Sequence, residues 1–244
     1  MDSPGRRHPH YVAQPHWPRG TLLAQLSPTS EDELVRSGTL RVLEHGTVLL
    51  SEQDSSTHAV LLLDGFAKVT ANLGNGKIAM LGIRMVGDLI GEMSALDGSP
   101  RSATVTACGR LTTRVIPQRE FLELLRLRPD MAIAVSGMIS HRLRWANRRR
   151  ADFSGYPSRV RLARVLVELA SAYGHREDGG VAFDLELTQE ELGTLAGADA
   201  DTAGRELRRL RTQGVISTGY RSTTIRELDR LRELAWPDGV VGTV

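Results

Sequence analysis

Apolar and polar positions alternate over short runs between residues 40 and 117, and glycines separate the runs. Short strands with regularly spaced turn signals are typical of an antiparallel sandwich or barrel. The Gly74-Asn75-Gly76 triplet lies between two of these runs, and such a triplet favours a tight hairpin. The pattern therefore predicts an antiparallel β domain in this part of the chain.

On either side of this region the apolar positions recur with a helical period. Residues 22–37 and 117–126 predict short helices, and residues 160–173 predict an amphipathic helix. A longer helix is predicted from Pro129 to about Asp152, with proline in the first turn, where it is tolerated.

The long helix carries apolar side chains at coiled-coil spacing. About 24 residues at a rise of 1.5 Å give a length of roughly 36 Å, more than one small domain covers. We therefore predict that it pairs with the same helix of a second chain; the alternative is that it packs only within its own chain. The predicted seam and the stripe beside it consist of Met131, Val135, Met138, Arg142 and Trp145, and of Ile139, Leu143 and Ala146.

The most specific pattern lies in residues 187–216. Thr188 and Glu191 form a capping-box pattern before a first helix, and Asp199 is placed to cap a second one. Two short helices joined by a tight turn follow the helix-turn-helix plan, whose second helix enters the major groove of DNA. The alternative is a helical hairpin that only packs. The second helix is rich in arginine and a hairpin wing is predicted after it, from Arg205, Arg208, Arg209 and Arg211, and from residues 215–222.

Composition narrows the chemistry. Of 244 residues, 41% are hydrophobic and 25% are charged, as in ordinary globular proteins. No apolar run approaches the ~18 residues of a membrane span and the N-terminus lacks a signal-peptide core, so we expect a cytoplasmic protein. A single cysteine, Cys108, argues against a disulfide framework or an iron–sulfur cluster. The histidines of the proline-rich tail are expected to be solvated rather than to bind metal; they are His8, His10 and His16.

The formal net charge is only +2, so charge alone does not indicate a nucleic-acid partner. Its distribution is uneven, however. Eight arginines and one acid, Asp152, lie between His141 and Arg164, which predicts a local positive stripe.

A further pattern lies in residues 91–107, GEMSALDGSPRSATVTA. Glu92 follows Gly91 directly, and Arg101 comes nine residues later, before small and β-branched residues. One interpretation is a loop that leads into a strand. The other is a pocket for an anionic group beside a hydroxyl-rich group, because a guanidinium pairs with phosphate and a carboxylate accepts hydrogen bonds from hydroxyls.

Residues 188–216, with T-x-x-E-hydrophobic-G-x-x-hydrophobic-G followed by D-T-A-G-R-E-L, resemble the DNA-binding motif of the Crp/Fnr family of bacterial transcription regulators. The segment from Gly91 resembles the phosphate-binding cassette of cyclic-nucleotide domains. The resemblance implies an α+β fold with an N-terminal antiparallel β-roll, a long dimerisation helix and a C-terminal winged helix-turn-helix. The implied divisions are a flexible tail at 1–20, the β-roll domain at 21–128, the dimerisation helix at 129–153 and the DNA-binding domain at 154–244.

In the β-roll, the resemblance implies that Arg101 and Ser102 bind a cyclic phosphate near Gly91 and that Glu92 accepts a hydrogen bond from the ribose 2′-hydroxyl. Cyclic AMP is the favoured effector. Asn147 of the long helix is a candidate contact to the purine, and the alternative is a solvated side chain. A second interpretation of Glu92 and Arg101 is an ion pair that closes the loop without a ligand.

In the second domain, the resemblance implies that Thr188 and Gln189 contact DNA phosphates at the start of the first helix. Arg205 suits guanine and Asp201 suits a cytosine amino group, whereas Ala200 departs from the arginine usual in the family. The usual operator sequence is therefore not expected. Two neighbouring residues complete the predicted DNA contacts, Thr202 and Arg208.

Together these patterns predict a homodimeric, non-enzymatic transcription regulator that binds an inverted-repeat operator in double-stranded DNA. RNA polymerase is a further candidate partner, and neither a membrane nor a metal ion is expected. Two alternatives stay open. The β-roll binds no nucleotide or another effector, or the protein is a nucleotide-sensing module whose winged helix binds protein instead of DNA.

Overall fold

A computed structural model describes residues 17–74, 76–177, 179–183, 185, 187–219, 222–237 and 239. Trp17 falls within the predicted flexible tail but is buried, and its indole Nε1 donates to Glu31 Oε1 at 2.6 Å. The final part of that stretch is therefore packed against the first domain. The tail histidines lie outside the described residues: His8, His10 and His16.

Strands β1–β8 form two four-stranded antiparallel sheets with the strand orders β1-β8-β3-β6 and β2-β7-β4-β5. Side chains alternate in β7, where Val105 and Ala107 enter the core between the sheets. This confirms the predicted antiparallel β-roll, and the predicted hairpin joins β4 and β5. The strands are β1 Thr39–Leu43, β2 Val48–Leu50, β3 Ala59–Asp64, β4 Phe66–Asn72, β5 Ile78–Met85, β6 Leu89–Ile90, β7 Thr104–Ala107 and β8 Leu111–Ile116.

Short helices flank and interrupt the roll. Ser27 caps the first α-helix, because its side chain accepts a hydrogen bond from the Ser30 N–H at 3.4 Å. Helix α2 lies inside residues 91–107, for which one interpretation was a loop that leads into a strand. The elements are a 3₁₀ helix at Leu23–Gln25, α1 at Pro28–Arg36, α2 at Glu92–Asp97 and α3 at Gln118–Leu127.

Helix α4, Pro129–Gly155, is the predicted long helix, but the predicted seam is wrong. Three of the seam residues are buried against the β-roll of the same chain. The exposed face instead carries Ile133 and Leu143, which are 73% and 60% exposed. Heptad spacing identifies an apolar face but not the partner that covers it. The pattern therefore could not distinguish a second chain from the β-roll of the same chain. The buried seam residues are Met131, Val135 and Met138.

The C-terminal domain contains a sheet of order β11-β12-β10-β9 surrounded by helices. Helices α6 and α7 form the predicted helix-turn-helix and strands β11 and β12 form a wing, so the winged helix-turn-helix is confirmed. The second strand of the wing follows the predicted range 215–222, of which Tyr220 and Arg221 lie outside the described residues. The elements are α5 Ser158–Tyr173, β9 His175–Glu177, β10 Gly180–Phe183, α6 Gln189–Leu195, α7 Ala200–Thr212, β11 Ile216–Thr218, β12 Thr223–Ile225 and α8 Leu228–Ala235.

The two helices of the motif cross closely at Gly193. A Cβ atom at this position would lie 3.0 Å from both the Ala198 carbonyl oxygen and the Ala203 Cβ. Asp199 then caps α7 by accepting a hydrogen bond from the Thr202 N–H at 2.7 Å. Glycine at position 193 therefore lets the second helix pack directly against the first.

The turn that precedes the cavity described below contains a strained residue. Gln53 has a φ of 67° and is the only non-glycine residue with a positive φ in the described part of the chain. Its N–H donates to the Arg101 carbonyl at 2.9 Å. The left-handed region costs a residue with a side chain roughly 1–2 kcal/mol, and the extra entropy of glycine in the unfolded chain offsets roughly 0.5–1 kcal/mol of that cost. We therefore expect Gln53→Gly to raise the free energy of unfolding by about 0.5–1 kcal/mol in chemical denaturation.

The matched control is Ser51→Gly, because Ser51 belongs to the same turn and does not have a positive φ. This change should not stabilise the protein, since glycine adds entropy to the unfolded chain without relieving strain. An equal effect of the two substitutions would contradict the explanation.

Candidate effector cavity and DNA-contact surface

A cavity of about 1170 Å³ lies between the β-roll, helix α4 and the start of the C-terminal domain. The structure brings four of the predicted effector residues together in its wall. Strand β5 and helix α4 contribute much of the remaining wall. Asn147 is exposed on α4 and does not line the cavity of its own chain. The four residues in the wall are Gly91, Glu92, Arg101 and Ser102.

Arg101 is almost completely buried, at 2% exposed. Its guanidinium donates to two backbone carbonyls, that of Gly91 at 2.9 Å and that of His58 at 2.6 Å. Its Nε donates to the Ser56 hydroxyl at 3.2 Å. These three acceptors are neutral, and burial lowers the pKa of Arg101. Since a guanidinium has five N–H donors, two remain for an anionic ligand.

Gly91 determines where this guanidinium lies. The residue has a φ of 72° and precedes α2. A Cβ atom here would lie 2.5 Å from Arg101 Nη1 and 2.9 Å from the His58 carbonyl oxygen. Glycine is therefore required both for the left-handed backbone and for the close approach of the arginine.

Glu92 pairs with Arg142 of the long helix and not with Arg101, so the alternative interpretation of a loop-closing ion pair is wrong. The carboxylate is buried, and its Oε1 accepts a hydrogen bond from Arg142 Nη1 at 2.8 Å. Arg142 Nη2 also donates to the Leu89 carbonyl at 2.8 Å and lies 3.6 Å from Asp88 Oδ1. A residue assigned to the dimer seam therefore connects α4 to the cassette within one chain.

The sequence pattern did not assign Arg142 to the site. The sequence nevertheless contained a signal for it, because Arg142 is a charged residue at a helix position where the pattern is otherwise apolar. Burying such a charge costs free energy unless a partner compensates it. Burial raises the pKa of Asp88, and Arg142 opposes that shift. Both carboxylates of this wall, Asp88 and Glu92, therefore depend on the same guanidinium.

The β4–β5 hairpin connects the cavity wall to the C-terminal domain. Lys68 of β4 forms an ion pair with Glu191 of α6. The Met80 N–H of β5 donates to the Thr194 hydroxyl, also on α6, at 3.2 Å. The first helix of the helix-turn-helix is therefore attached to the roll.

The predicted phosphate-contact residues Thr188 and Gln189 are exposed at the start of α6. Thr188 Oγ1 accepts from the Glu191 N–H at 3.1 Å, and Glu191 Oε2 accepts from the Thr188 N–H at 2.9 Å, which completes the predicted capping box. A Cβ atom at Gly204 of α7 would lie 2.9 Å from Gln189 Oε1. Gly204 thus leaves room for the Gln189 side chain against the second helix.

On α7, the predicted base-contact residues Asp201 and Arg205 are exposed, as is Arg208, a further predicted DNA contact. Thr202 is half-buried, and its hydroxyl donates to Asp199 Oδ2 at 2.9 Å and accepts from Arg205 Nη2 at 3.0 Å. Hydrogen bonds from Thr202 lower the pKa of Asp199, so the cap is ionised at neutral pH. Thr202 therefore orients Arg205 rather than presenting a free hydroxyl.

The predicted positive stripe between residues 141 and 164 is only partly a surface. Arg161 and Arg164 are buried. Arg161 donates to the carbonyls of Tyr156 at 2.8 Å and Gly197 at 2.7 Å, which joins the end of α4 to the turn of the helix-turn-helix. These arginines fix the domain to the long helix instead of forming a nucleic-acid surface.

Replacing Arg142 by methionine would leave the buried Glu92 carboxylate without its cationic partner. Breaking a buried pair from one side typically costs 3–5 kcal/mol, and the Arg142 side chain is 19% exposed. We therefore expect the free energy of unfolding to fall by about 3 kcal/mol in chemical denaturation.

Two variants complete this test. Arg144→Met changes an exposed arginine of the same helix and should alter stability by less than about 0.5 kcal/mol. Adding Glu92→Gln to Arg142→Met should recover part of the loss, because the unpaired charge is removed. If Arg142→Met behaved like the Arg144 control, the contact would not stabilise the protein.

Within the described ranges no group of three or more histidine, cysteine or acidic side chains is arranged to hold a metal ion, and no helix is long and apolar enough to cross a membrane. Residues 40–128 match the family model of the cyclic nucleotide-binding domain, and residues 160–234 match that of the Crp-like helix-turn-helix domain. The two matches coincide with the roll and with the winged helix-turn-helix.

Relatives match this chain over most of their length. The chain is 27% identical over 192 residues to the CRP-like cAMP-activated global transcriptional regulator of Mycobacterium tuberculosis, which covers 78% of this chain and 85% of the relative. It is 27% identical over 215 residues to the cyclic AMP receptor protein of Thermus thermophilus, covering 88% and 96%. The solved structure of FixK2 from Bradyrhizobium japonicum has a TM-score of 0.72 at 18% identity, covering 84% and 98%. With both family domains in this order, the chain belongs to the Crp/Fnr family of transcription regulators, with a cyclic nucleotide-binding domain and a DNA-binding helix-turn-helix.

Proposed function

We propose that the protein is a homodimeric, cytoplasmic regulator that binds an inverted-repeat operator and is controlled by a cyclic nucleotide in the β-roll cavity. The proposal rests on the convergence of Gly91, Glu92, Arg101 and Ser102 on one cavity wall. The names of both sequence relatives refer to cyclic AMP, so cyclic AMP is the first effector to test. RNA polymerase is a further proposed partner. The proposed divisions are a tail at 1–20, a β-roll domain at 21–128, a dimerisation helix at 129–153 and a DNA-binding domain at 154–244.

The proposed effector contacts use the donors and acceptors that remain free in the cavity wall. The two unused N–H groups of Arg101 bind the cyclic phosphate, and the exposed Ser102 hydroxyl donates to it. Arg142 occupies Glu92 Oε1, which leaves Oε2 for the ribose 2′-hydroxyl. Asn147 would contact the base bound by the partner chain, because it does not line the cavity of its own chain.

The proposed dimer interface is the exposed face of α4. Ile133 and Leu143 supply its apolar side chains. Between them lie Ser136, Gly137 and Ser140, which are exposed small residues that allow two helices to approach closely. Pairing along this face would place the two copies of α7 so that each contacts one half-site, with the half-sites one turn of DNA, ~34 Å, apart.

Effector binding would act on DNA binding through the β4–β5 hairpin. A ligand that contacts the inner face of this hairpin changes the relative stability of its positions. Lys68 and Met80 transmit the change to α6, because they bind Glu191 and Thr194. The effector thereby shifts the population of the arrangement in which both recognition helices fit the operator.

The phosphate contact is tested by Ser102→Ala, since an exposed serine can be replaced without loss of the fold. Loss of a hydrogen bond to a charged group costs about 1.5 kcal/mol, so the Kd should rise about 10-fold. Calorimetric titration of the full chain with cyclic AMP and cyclic GMP measures this change.

The matched control is Ser99→Ala, which alters an exposed serine of the same loop outside the cavity wall and should bind as the parent does. If Ser102→Ala bound equally well, the phosphate would lie elsewhere. If the parent bound neither nucleotide at millimolar concentration, the effector would be a different molecule or absent.

The DNA contact is tested by Arg205→Ala. The bidentate contact of an arginine to guanine gives about 1–3 kcal/mol of discrimination, so the variant should lose preference at one base pair of each half-site. Binding assays with operator variants, selected first from a random DNA pool, measure this preference.

Arg209→Ala is the control, because Arg209 is also exposed on α7 but lies 3.9 Å from Glu206 of its own helix. Its loss should weaken binding uniformly or not at all. If Arg205→Ala kept the full base preference of the parent, this assignment would be wrong.

A further inference from the structure

The register of the β4–β5 hairpin separates two sets of side chains. Residues directly opposite each other on paired strands point to the same face of the sheet. Lys68 pairs with Ile83, and both face the C-terminal domain, where Lys68 binds α6 and Ile83 joins the core of that domain. Ala67 pairs with Arg84, and Ala67 belongs to the core of the roll. The side chain of Arg84 therefore leaves the backbone on the inward face of the hairpin.

Arg84 lines the same cavity as Arg101, Glu92 and Ser102. Its Nη1 donates to the carbonyl of the adjacent Ile83 at 2.7 Å. Within the described part of the chain, no carboxylate forms an ion pair with it. The nearby carboxylates of Asp88 and Glu92 act on it electrostatically, but both are held by Arg142.

A cation in this position is costly. Burial lowers the pKa of Arg84, and the neighbouring charge of Arg142 lowers it further. The adjacent Gly82 offers no side chain in compensation; a Cβ atom there would lie 3.0 Å from Arg84 Nη1. An apolar side chain would suit this inward face, as Val69 opposite Gly82 does. The guanidinium thus forms no ion pair within the described residues, and Asp88 and Glu92 compensate its charge only through space.

Glu92 acts electrostatically on both Arg101 and Arg84, so it lies within range of both guanidinium groups. In a cyclic nucleotide the ribose connects the phosphate to the base. With the phosphate at Arg101 and the ribose at Glu92, the base is the remaining group, and Arg84 is a cation of the same cavity wall that lies on the inward face of the hairpin.

We propose that Arg84 contacts the purine base of the effector and selects guanine over adenine. The inference rests on the proposed nucleotide-binding function and specifies its ligand. A guanidinium only donates hydrogen bonds. Guanine presents two acceptors on one edge, O6 and N7, which a guanidinium fork binds together, whereas adenine presents N7 beside the N6 amino donor. A guanine cyclic nucleotide therefore satisfies Arg84, and cyclic AMP leaves one donor facing another.

The test is calorimetric titration of the full chain with cyclic GMP, cyclic AMP and cyclic IMP. Cyclic IMP carries O6 and N7 but lacks the guanine amino group, so it isolates the proposed contact. The parent protein should bind cyclic GMP and cyclic IMP about 10-fold or more tighter than cyclic AMP. Arg84→Leu should lose this preference while it still binds cyclic AMP, because the phosphate and ribose contacts remain.

Arg110→Leu changes an exposed arginine of the same domain and should keep the parent preference. A thermal unfolding curve for Arg84→Leu establishes that the variant is folded before titration. An unchanged preference in folded Arg84→Leu, or cyclic IMP binding as weakly as cyclic AMP in the parent, would overturn the role of Arg84 while leaving nucleotide binding intact. If the parent bound none of the three nucleotides, both this inference and the proposed effector would be wrong.

Discussion

The ion pair between Lys68 and Glu191, together with the packing of Ile83, holds the first helix of the DNA-binding motif against the back of the β4–β5 hairpin. The front of the same hairpin faces the candidate effector cavity, which Arg84 lines. Successive residues of a strand point to opposite faces, so two adjacent side chains serve two different sites. The hairpin therefore gives the two domains a physical connection within each chain.

Arginine suits the other connections in this protein because its planar group donates to several acceptors at once. Arg101 holds two carbonyls of the cassette and the Ser56 hydroxyl. Arg161 likewise joins carbonyls at the end of α4 to one in the turn of the helix-turn-helix. A lysine ammonium has three donors on a flexible stem and would not fix both partners in the same plane. These arginines therefore fix the local geometry, because each donates several hydrogen bonds at once.

Local signals made the helix-turn-helix predictable. The capping box of Thr188 and Glu191 and the cap at Asp199 involve residues three positions apart, so the sequence contains the whole interaction. The antiparallel roll was predictable for a similar reason, because alternation and glycine turns are short-range patterns. The four cassette residues in the cavity wall were identified by their resemblance to a known motif.

The contacts that were missed join residues far apart in the sequence. Arg142 and Glu92 are separated by 50 positions, and nothing in the helical spacing of α4 indicates that its inner face meets the cassette. The predicted orientation of α4 was wrong for the same reason. Met138 is equally apolar whether a second chain or the roll of its own chain covers it. Arg84 required the strand register, because a bulge in the hairpin changes which residues of β5 point inward.

The central claim is that the cavity and the DNA-contact helices are energetically coupled. The most direct measurement is the Kd for a selected operator, determined at constant salt concentration with and without a saturating cyclic nucleotide, together with the Kd for that nucleotide with and without the operator. Coupling requires the nucleotide to tighten DNA binding by roughly 5- to 150-fold and the operator to tighten nucleotide binding by the same factor. If the nucleotide bound in the roll but left the operator Kd unchanged, the cavity would not control DNA binding and the claim would be contradicted.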